Sequence, residues 1–402
     1  MCTKDLIIQL CDLLRAEAQR QRERYSVEVP GLGRACIPYE FWPLIPTSAE
    51  VLVTDAITPP SAVLGRIRAG AVVVLKGDFV RATGILKYLD RLGRGIIHRD
   101  AFQGIPNRFE RGRQEQAAIR SALHRLTVVV QNGRMQGVTG GPFAGRRDLT
   151  PWLEGGADYP CGTPLLTPLR KILRIASDIK RLEEGVFITA LDASLVVFPT
   201  VFAPVDQKVV DLFAGYAEIG PGERVLDVGA GTGVLALIAA RRGARVTATD
   251  RNREAARNAR LNARRLGLED LVEVRDPCDM FDGVEGRRFD HVLFNAPWLR
   301  GAPRTAYEAA LYDDGRVIAR FFEGVPDHLK AGGTVWLLYA DVFERTGDGA
   351  LAHVGDLLDR NGLTVRRRWR TARAGRVSGR METVVLYEIR RRVPCLTESA
   401  SS

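Results

Sequence analysis

Residues 225–234 read Val-Leu-Asp-Val-Gly-Ala-Gly-Thr-Gly-Val, and this stretch decides the expected fold. A short apolar run that contains Asp227 predicts a buried strand, and the apolar run from Val234 predicts a helix. The turn between them has three glycines at alternate positions, which let a ligand approach the backbone at the carboxyl end of a parallel sheet. These are Gly229, Gly231 and Gly233. A dinucleotide fingerprint would need a further glycine at position 234, so a nicotinamide or flavin site is the less favoured alternative.

A second short apolar strand, residues 245–249, also ends on an acid. Asp250 lies 23 positions after Asp227 (250 − 227), which leaves room for one strand–helix–strand unit. Asp250 should therefore lie beside the glycine turn, at the tip of the neighbouring strand. A carboxylate at that place can accept hydrogen bonds from both hydroxyls of a ribose. The alternative is a cap for a helix that starts within residues 251–254.

A third strand runs into Asn295-Ala296-Pro297-Trp298. This tetrapeptide resembles motif IV of the amino-methyltransferases, which is usually Asn-Pro-Pro-Tyr or Asp-Pro-Pro-Tyr. A nitrogen conjugated to a carbonyl or a ring is a weak nucleophile because its lone pair is delocalised. The side-chain oxygen of Asn295 and the carbonyl of Ala296 could accept its N–H bonds and stabilise the developing positive charge, while Trp298 stacks on the planar group. The alternative is a turn with a buried Trp. Ala296 replaces the usual proline, which keeps the carbonyl but loosens the turn.

Residues 276–282 read Asp-Pro-Cys-Asp-Met-Phe-Asp. They resemble the Gly-Asp-Leu-Phe segment of the same enzymes, whose acid binds the adenine amino group. Asp279, followed by Met280, aligns with that acid. Asp276 is the second candidate, and an ordinary solvated loop acid is the alternative.

Residues 187–393 as a whole resemble a class I S-adenosylmethionine (AdoMet) methyltransferase of the Asn-Pro-Pro-Tyr type, as in the release-factor glutamine N-methyltransferases and the small-domain ribosomal RNA guanine-N2 methyltransferases. The resemblance implies an α/β, Rossmann-like domain with a seven-stranded, mostly parallel sheet, AdoMet as cofactor and S-adenosyl-L-homocysteine as product. The implied catalytic residues are Asn295, Ala296, Pro297 and Trp298. The implied cofactor-binding residues are Asp227, Gly229, Ala230, Gly231, Thr232, Gly233, Asp250, Arg251, Asp279 and Met280.

The methyl acceptor is less well defined by the sequence. The sequence favours the amide or guanidino nitrogen of a small amino-acid-like metabolite, or of a peptide or protein side chain. The reason is that Ala296 and the first half of the chain depart from the release-factor enzymes. An rRNA guanine-N2 methyltransferase is the alternative, and a degenerate AdoMet-binding module is a minor one. A protonated guanidinium has no usable lone pair, so it needs carboxylates to orient and deprotonate it. The candidate substrate-binding residues are Phe202, Tyr307, Glu308, Tyr312, Asp313 and Asp314.

Two domains are expected, because 402 residues with 46% hydrophobic side chains can bury two ordinary cores. Residues 1–185 would form an α+β or α/β accessory domain for substrate recognition, lid formation or dimerisation. Residues 186–393 would form the methyltransferase domain, and residues 394–402 a flexible tail. A homodimer, and a first half that is a decayed methyltransferase copy, are both compatible with the sequence. The elements expected in the first half are a helix over residues 1–24, a hairpin over 26–37, strands at 71–75 and 126–130, helices at 82–89 and 114–124, and a helix over 168–182 capped by Thr167.

Composition points to a cytoplasmic protein without a membrane segment or a metal site. No stretch approaches 18 consecutive apolar residues, and the charge-rich start does not resemble a signal peptide. The six cysteines are scattered, without the spacing of metal ligands, so they are interpreted as reduced thiols.

The net charge is +10, and most of it falls in the first half. Residues 1–185 carry 27 Lys or Arg and 19 Asp or Glu, a net charge of +8, and eight arginines lie within residues 108–147. The final predicted hairpin adds Arg366-Arg367-Arg368-Trp369-Arg370 and Arg390-Arg391-Arg392. Such stripes could contact RNA phosphates. The alternative is an ordinary surface in an arginine-rich protein, since the chain has 51 Arg and 7 Lys.

Overall fold

The computed structural model describes residues 24–54, 57–105, 108–141, 143, 148–149, 152–153, 159, 162–303, 305–340, 354–374 and 381–392. These residues fall into two compact units, divided between residues 177 and 178. The helix expected over residues 1–24, apart from its last residue, and the expected tail over 394–402 lie outside the described residues.

The first unit is built on a mixed sheet with the strand order β1-β2-β9-β6-β4-β3, and β7 pairs with β6. β3, β4 and β6 are parallel, whereas β9 runs antiparallel to β6. The hairpin, strands and helices predicted within the described residues of this unit are present. The elements are β1 (Ser26–Val29), β2 (Gly33–Cys36), β3 (Val51–Thr54), α1 (Pro60–Arg68), β4 (Val72–Leu75), β5 (Gly77–Asp78), α2 (Phe79–Leu92), α3 (Arg108–His124), β6 (Leu126–Gln131), β7 (Arg134–Met135), β8 (Val138–Thr139), β9 (Leu165–Pro168) and α4 (Leu169–Glu183), with 3-10 turns at Tyr39–Phe41, Gly93–Ile96 and Arg99–Phe102.

The predicted start of the helix α4 is wrong. Thr167 does not cap it, and Pro168 does not lie in its first turn, because both belong to strand β9. Thr167 pairs with Val128 of β6, and its hydroxyl donates to the carbonyl of Leu165. The pairing with β6 is a long-range contact that overrides the local capping preference.

The second unit contains a seven-stranded sheet with the order β14-β13-β12-β15-β18-β20-β19. The first five strands are parallel, and β20 is antiparallel to both of its neighbours, so the expectation of a mostly parallel sheet is confirmed. The elements are β10 (Val186–Ile188), a 3-10 turn (Thr189–Leu191), β11 (Ala193–Leu195), α5 (Gln207–Tyr216), β12 (Arg224–Val228), α6 (Val234–Arg241), β13 (Arg245–Thr249), α7 (Arg253–Arg265), β14 (Val272–Arg275), β15 (Phe289–Asn295), β16 (Leu299–Arg300), α8 (Ala306–Ala309), β17 (Tyr312–Asp313), α9 (Arg316–His328), β18 (Leu329–Ala340), α10 (Val354–Arg360), β19 (Leu363–Ala374) and β20 (Met381–Arg391).

Apolar side chains cover both faces of this sheet. Val225 and Leu293 belong to the core on one face, together with helices α5 and α6, whereas Leu226 and Val292 belong to the core on the other face, together with α9. The central strands are therefore nearly continuous apolar runs, as a parallel sheet covered on both sides requires. This rigid centre fixes the positions of the residues that follow β12, β13 and β15.

Gly233 ends the glycine turn where α6 begins and packs closely against α7. Its φ is +83°, and an added Cβ would lie 3.1 Å from Cβ and 3.3 Å from Cα of Ala259. Gly267 also has a positive φ, +65°, but an added Cβ there would meet no atom within 4 Å. An alanine at either position would have a strained backbone, but only an alanine at position 233 would also press against a neighbouring helix.

We expect Gly233→Ala to lower the free energy of unfolding by about 2–4 kcal/mol, because it adds a helix–helix clash to a left-handed backbone that costs about 1–2 kcal/mol by itself. The control Gly267→Ala should lose only the backbone part. Denaturant unfolding of both variants measures the difference. Equal losses at the two positions would contradict the close packing.

Candidate functional site

A cavity of about 400 Å³ lies at the carboxyl ends of the central strands of the second unit. Its floor is formed by the ends of β12, β13 and β15, and its walls by the segment before α5 and the segment from 298 to 311. The chain goes from β12 to β13 and β14 on one side and returns to β15 on the other. The cavity thus lies where the strand order reverses, which is the ligand-binding position of open α/β sheets.

The glycine turn forms one side of this cavity. Gly229 and Gly231 have φ values of +66° and +58°, and an added Cβ at Gly231 would meet no atom within 4 Å. The amide of Ala230 donates to the carbonyl of Thr249 at 3.0 Å, which holds the turn against the end of β13. Ala230 and Thr232 also line the cavity, whereas Gly233 packs behind it against α7. A ligand can therefore approach the backbone of the turn closely.

Asp250 lies beside the turn, as its spacing predicts. Its Oδ2 accepts a hydrogen bond from the amide of Gly231 at 2.9 Å, and its Oδ1 accepts one from the amide of Asn252 at 2.8 Å. Burial raises the pKa of Asp250, although these two amides oppose the shift. The cap of α7 is Asn252, whose side chain accepts from the amide of Glu254, so the alternative role of Asp250 as the helix cap is wrong. Both Asp250 and Arg251 line the cavity.

Asp227 is almost fully buried at the end of β12, and it lines the same cavity. Its Oδ2 accepts a hydrogen bond from the amide of Ala236 in the first turns of α6, at 3.0 Å. Burial raises the pKa of this carboxyl to about 7; the bond from Ala236 opposes the shift and the charge of Asp250 adds to it. The carboxyls of Asp227 and Asp250 therefore both favour a cationic ligand.

Asn295 ends β15 and lines the cavity opposite the glycine turn. Its Oδ1 is buried and accepts no hydrogen bond from any residue that the structure describes. The amide of Ala296 donates to the carbonyl of Leu338 at 3.2 Å, which ties the tetrapeptide to β18. Pro297 and Trp298 line the cavity as well, so all four residues of the tetrapeptide meet there.

Asp279 and Met280 lie at the adjacent wall. Oδ2 of Asp279 contacts Nη1 of Arg320 at 2.9 Å, and the carbonyl of Met280 accepts from the hydroxyl of Thr249 at 2.8 Å. Asp276, the second candidate, lies 3.8 Å from Arg260 and does not line the cavity.

The candidate substrate residues divide into two groups. Phe202 and Tyr307 line the cavity. The other four, Glu308, Tyr312, Asp313 and Asp314, are not among its lining residues in the part of the chain that is described.

Asp313 in particular has a different role from the one expected. It is 3% exposed, and its carboxylate accepts hydrogen bonds from the amides of Gly315, Val317 and Ile318 at 2.8–3.1 Å. It therefore fixes the start of α9, and it is not brought to the cavity with Asn295. Asp314 is paired with Arg316 at 2.9 Å.

Two residues that the sequence analysis missed, Asn258 and Asn262, hold the cavity wall in place from α7. Asn262 donates to the carbonyls of Val196 and Thr232, at 2.9 and 3.0 Å, and so joins the segment before the cavity to the glycine turn. Asn258 accepts from the amide of Phe198 at 3.0 Å. Their i, i+4 spacing places both on one helix face, and two asparagines on the apolar face of a helix are the signal that could have revealed them.

Within the described ranges, no group of three or more His, Cys, Asp or Glu side chains is arranged to hold a metal ion. In the same ranges no helix has the length and apolar character needed to cross a membrane.

The sequence of residues 216–344 matches the family model of the methyltransferase small domain. This range is therefore a methyltransferase domain with the class I fold. This match covers the glycine turn, Asp250, Asp279 and Asn295, whereas Phe202 and the rest of the cavity wall before α5 precede the matched range. The family uses AdoMet as its methyl donor.

Several characterised or solved proteins are similar to this methyltransferase. A putative protein N5-glutamine methyltransferase of Methanocaldococcus jannaschii is 28% identical over 152 residues, which are 36% of this chain and 74% of that protein. A tRNA1(Val) (adenine(37)-N6)-methyltransferase of Bacteroides thetaiotaomicron is 29% identical over 146 residues, 35% of this chain and 61% of that protein. The crystal structure of the ribosomal protein L11 methylase of Lactobacillus delbrueckii subsp. bulgaricus has 21% identity and a TM-score of 0.35, and the alignment covers 48% of this chain and 82% of that one.

We expect Asp227 to make the ligand-free methyltransferase less stable as the pH rises. The pKa of about 7 in the folded chain lies above the value of about 4 for an unfolded Asp, so the folded state favours the protonated carboxyl. Its stabilising contribution is complete below about pH 4 and is lost as the pH rises through 7.

Between pH 4 and 7 the wild type should lose on the order of 2–4 kcal/mol of its free energy of unfolding through Asp227, and Asp227→Asn should not show this loss. Unfolding free energies measured across that range, with the exposed Asp270→Asn as the control for loss of a charge, test the assignment. Parallel pH curves for wild type and Asp227→Asn would contradict it.

Proposed function

We propose that the chain is an AdoMet-dependent N-methyltransferase whose acceptor is a neutral, planar nitrogen. The observation that carries this proposal is the buried Oδ1 of Asn295, which accepts no hydrogen bond from the described residues at the cavity that the glycine turn lines. A buried acceptor without a donor costs about 1–3 kcal/mol, so such an atom is expected to find its partner in a bound molecule. The partner would be an N–H of the acceptor.

The other side of the cavity fits AdoMet. Its volume of about 400 Å³ is in the range of small-molecule sites. When bound, AdoMet supplies a methyl group on a positively charged sulfonium. Asp227 would bind near its amino-acid end, Asp250 at its ribose and Asp279 at its adenine, and the raised pKa of the first two carboxyls supports a cationic ligand.

Asn295 and its neighbours would hold the acceptor. Its Oδ1 and the carbonyl of Ala296 would accept N–H bonds from the nitrogen, which orients the lone pair and stabilises the positive charge that forms on it. Trp298 would stack on the planar group, and Phe202 and Tyr307 would complete an aromatic wall. A proton released after transfer can pass to solvent, so no dedicated base is needed.

The surroundings of the acceptor position favour an amide over a guanidine. A guanidinium needs carboxylates to orient and deprotonate it. The carboxylate of Asp313 already accepts hydrogen bonds from amides at the start of α9, and Glu308 and Asp314 are absent from the described lining of the cavity. Amide nitrogens of a small amino-acid-like molecule or a peptide are neutral and need no such group. The exocyclic amine of a nucleobase is neutral as well, and it is the second candidate because Arg366, Arg368 and Arg370 of β19 are exposed and have no hydrogen bond or ion pair with a described residue.

We expect Asn295→Ala and Asp250→Ala to separate catalysis from cofactor binding. Asn295→Ala should bind AdoMet normally but reduce kcat roughly 10²- to 10³-fold, because it removes a hydrogen bond that strengthens in the transition state. Asp250→Ala should weaken AdoMet binding by about 1–3 kcal/mol, because it loses the ribose hydroxyls and the anchor of Gly231.

Calorimetric titration with AdoMet and single-turnover rates measure the two effects. The control is Asn361→Ala, whose side chain bonds the carbonyl of Leu357 on α10. An Asn295→Ala enzyme with full activity would overturn the role of Asn295, and one that no longer binds AdoMet would mean that Asn295 acts through the fold of the cavity.

The acceptor class can be tested by transfer of radiolabelled methyl from AdoMet into separate pools of amides and peptides, guanidines, and RNA. We expect label in a neutral pool, either amide or RNA, and none in the guanidines, because the carboxylates expected to deprotonate a guanidinium, Glu308, Asp313 and Asp314, are not among the described lining residues of the cavity. Asn295→Ala is the control for each pool. Asn295-dependent label in the guanidines would contradict the neutral acceptor.

A further inference from the structure

We propose that the exposed edge strand β19 binds the phosphates of a single-stranded RNA and leads one of its bases to the cavity. The inference rests on the proposed function and adds the class of substrate. It starts from the arginines of the final hairpin, which the structure divides into those that stabilise the fold and those that do not.

Four of these arginines are used within the chain. Arg367 contacts Glu218 and Glu388, and Arg390 contacts Glu388. Arg391 donates to the carbonyls of Pro326 and Leu329, and Arg392 contacts Asp359. Their charges are already balanced or their donors already used, so they offer little to a partner.

Arg366, Arg368 and Arg370 are different. All three are exposed, and none has a hydrogen bond or ion pair with any described residue. They are defined here as the arginine edge. Arg368 and Arg370 lie two residues apart on a strand, so they project from the same face at a spacing of about 6.6–6.8 Å. This is comparable to the distance between successive phosphates of an extended nucleic-acid strand.

The arginine edge lies on the same sheet as the cavity, close to the row of residues that contains Asn295. Asn295 pairs with Leu338, Leu338 with Leu386, and Leu386 with Trp369, so Asn295 and Trp369 share one row across four strands. Three gaps between strands separate them by about 14 Å. Because β19 runs parallel to β15 and β18, Arg370 lies one residue beyond this row, on the side of the cavity. A few nucleotides can span that distance.

The cavity itself accepts a base. Its aromatic wall of Phe202, Trp298 and Tyr307 offers stacking surfaces, and the exocyclic amine of a base is a neutral, planar nitrogen that suits Asn295. A single strand is required, because a base in a duplex cannot reach a cavity of this kind without leaving its stack. The phosphate contacts would position the strand, and the cavity would select the base.

The experiment uses the full chain and a fluorescein-labelled single-stranded RNA of about 12 nucleotides, with binding followed by anisotropy between about 50 and 200 mM salt. The test variant carries Arg366→Gln, Arg368→Gln and Arg370→Gln. The matched control carries Arg245→Gln, Arg264→Gln and Arg265→Gln, which removes the same charge from exposed positions at the opposite end of the sheet. Neither triple changes a residue of the cavity.

We expect the test variant to bind RNA roughly tenfold or more weakly at low salt, and its slope of log K against log salt to be smaller by about 2, that is, three contacts at about 0.7 each. The control variant should resemble the wild type.

Equal losses in the two triple variants, or an unchanged affinity in the test variant, would overturn the arginine edge as the RNA site. Competition by a polyglutamate peptide as strong as that by unlabelled RNA would overturn RNA as its partner. If RNA binds as expected but no pool receives a methyl group, the proposed function fails while the docking surface stands.

Discussion

The hydrogen bond from the amide of Gly231 to the carboxylate of Asp250 is the contact on which the site depends. It joins the ends of two parallel strands that pair residue by residue from Arg224–Arg245 to Val228–Thr249. Gly231 holds this amide in place with a left-handed φ of +58°, which glycine adopts without strain. The paired strands are rigid, and this hydrogen bond holds the backbone of the glycine turn where a ligand can contact it.

The cost of this arrangement is electrostatic. Asp227 is buried and Asp250 is half-buried, and the pKa of each carboxyl is raised chiefly because burial removes water from it. The ligand-free site therefore stores unfavourable free energy that a cation can relieve. On the opposite side of the cavity, the buried Oδ1 of Asn295 accepts no hydrogen bond from a described residue. The positively charged methyl donor would relieve the cost at the two carboxyls, and the nitrogen of the methyl acceptor would supply the missing hydrogen bond to Asn295.

The features predicted from the sequence are those that local chemistry determines. The glycine turn, the acid at the next strand end and the Asn-x-Pro-aromatic tetrapeptide each combine a strand pattern with a constrained turn, and parallel pairing brings their ends together. Thr167 was misassigned because its partner, strand β6, is distant in sequence and leaves no local pattern. The amides that bind Asp313 are only two to five residues away, and an acid just before a helix was the local signal for this contact. The i, i+4 spacing of Asn258 and Asn262 marks two polar side chains on an apolar helix face, but it does not identify their partners, which are backbone atoms more than 25 positions away.

These two asparagines also determine which part of the cavity wall can open. Residues 196–198 are held to α7 by buried amide bonds, so they should remain in place when a molecule enters or leaves. From residue 200 to the start of α5 the chain lines the cavity, and Val205 within it is 37% exposed. Thr200 and Val201 are held as well, because Asn252 donates to the carbonyl of Thr200 and Val201 is buried. Exchange with solvent should therefore open this wall only beyond Val201.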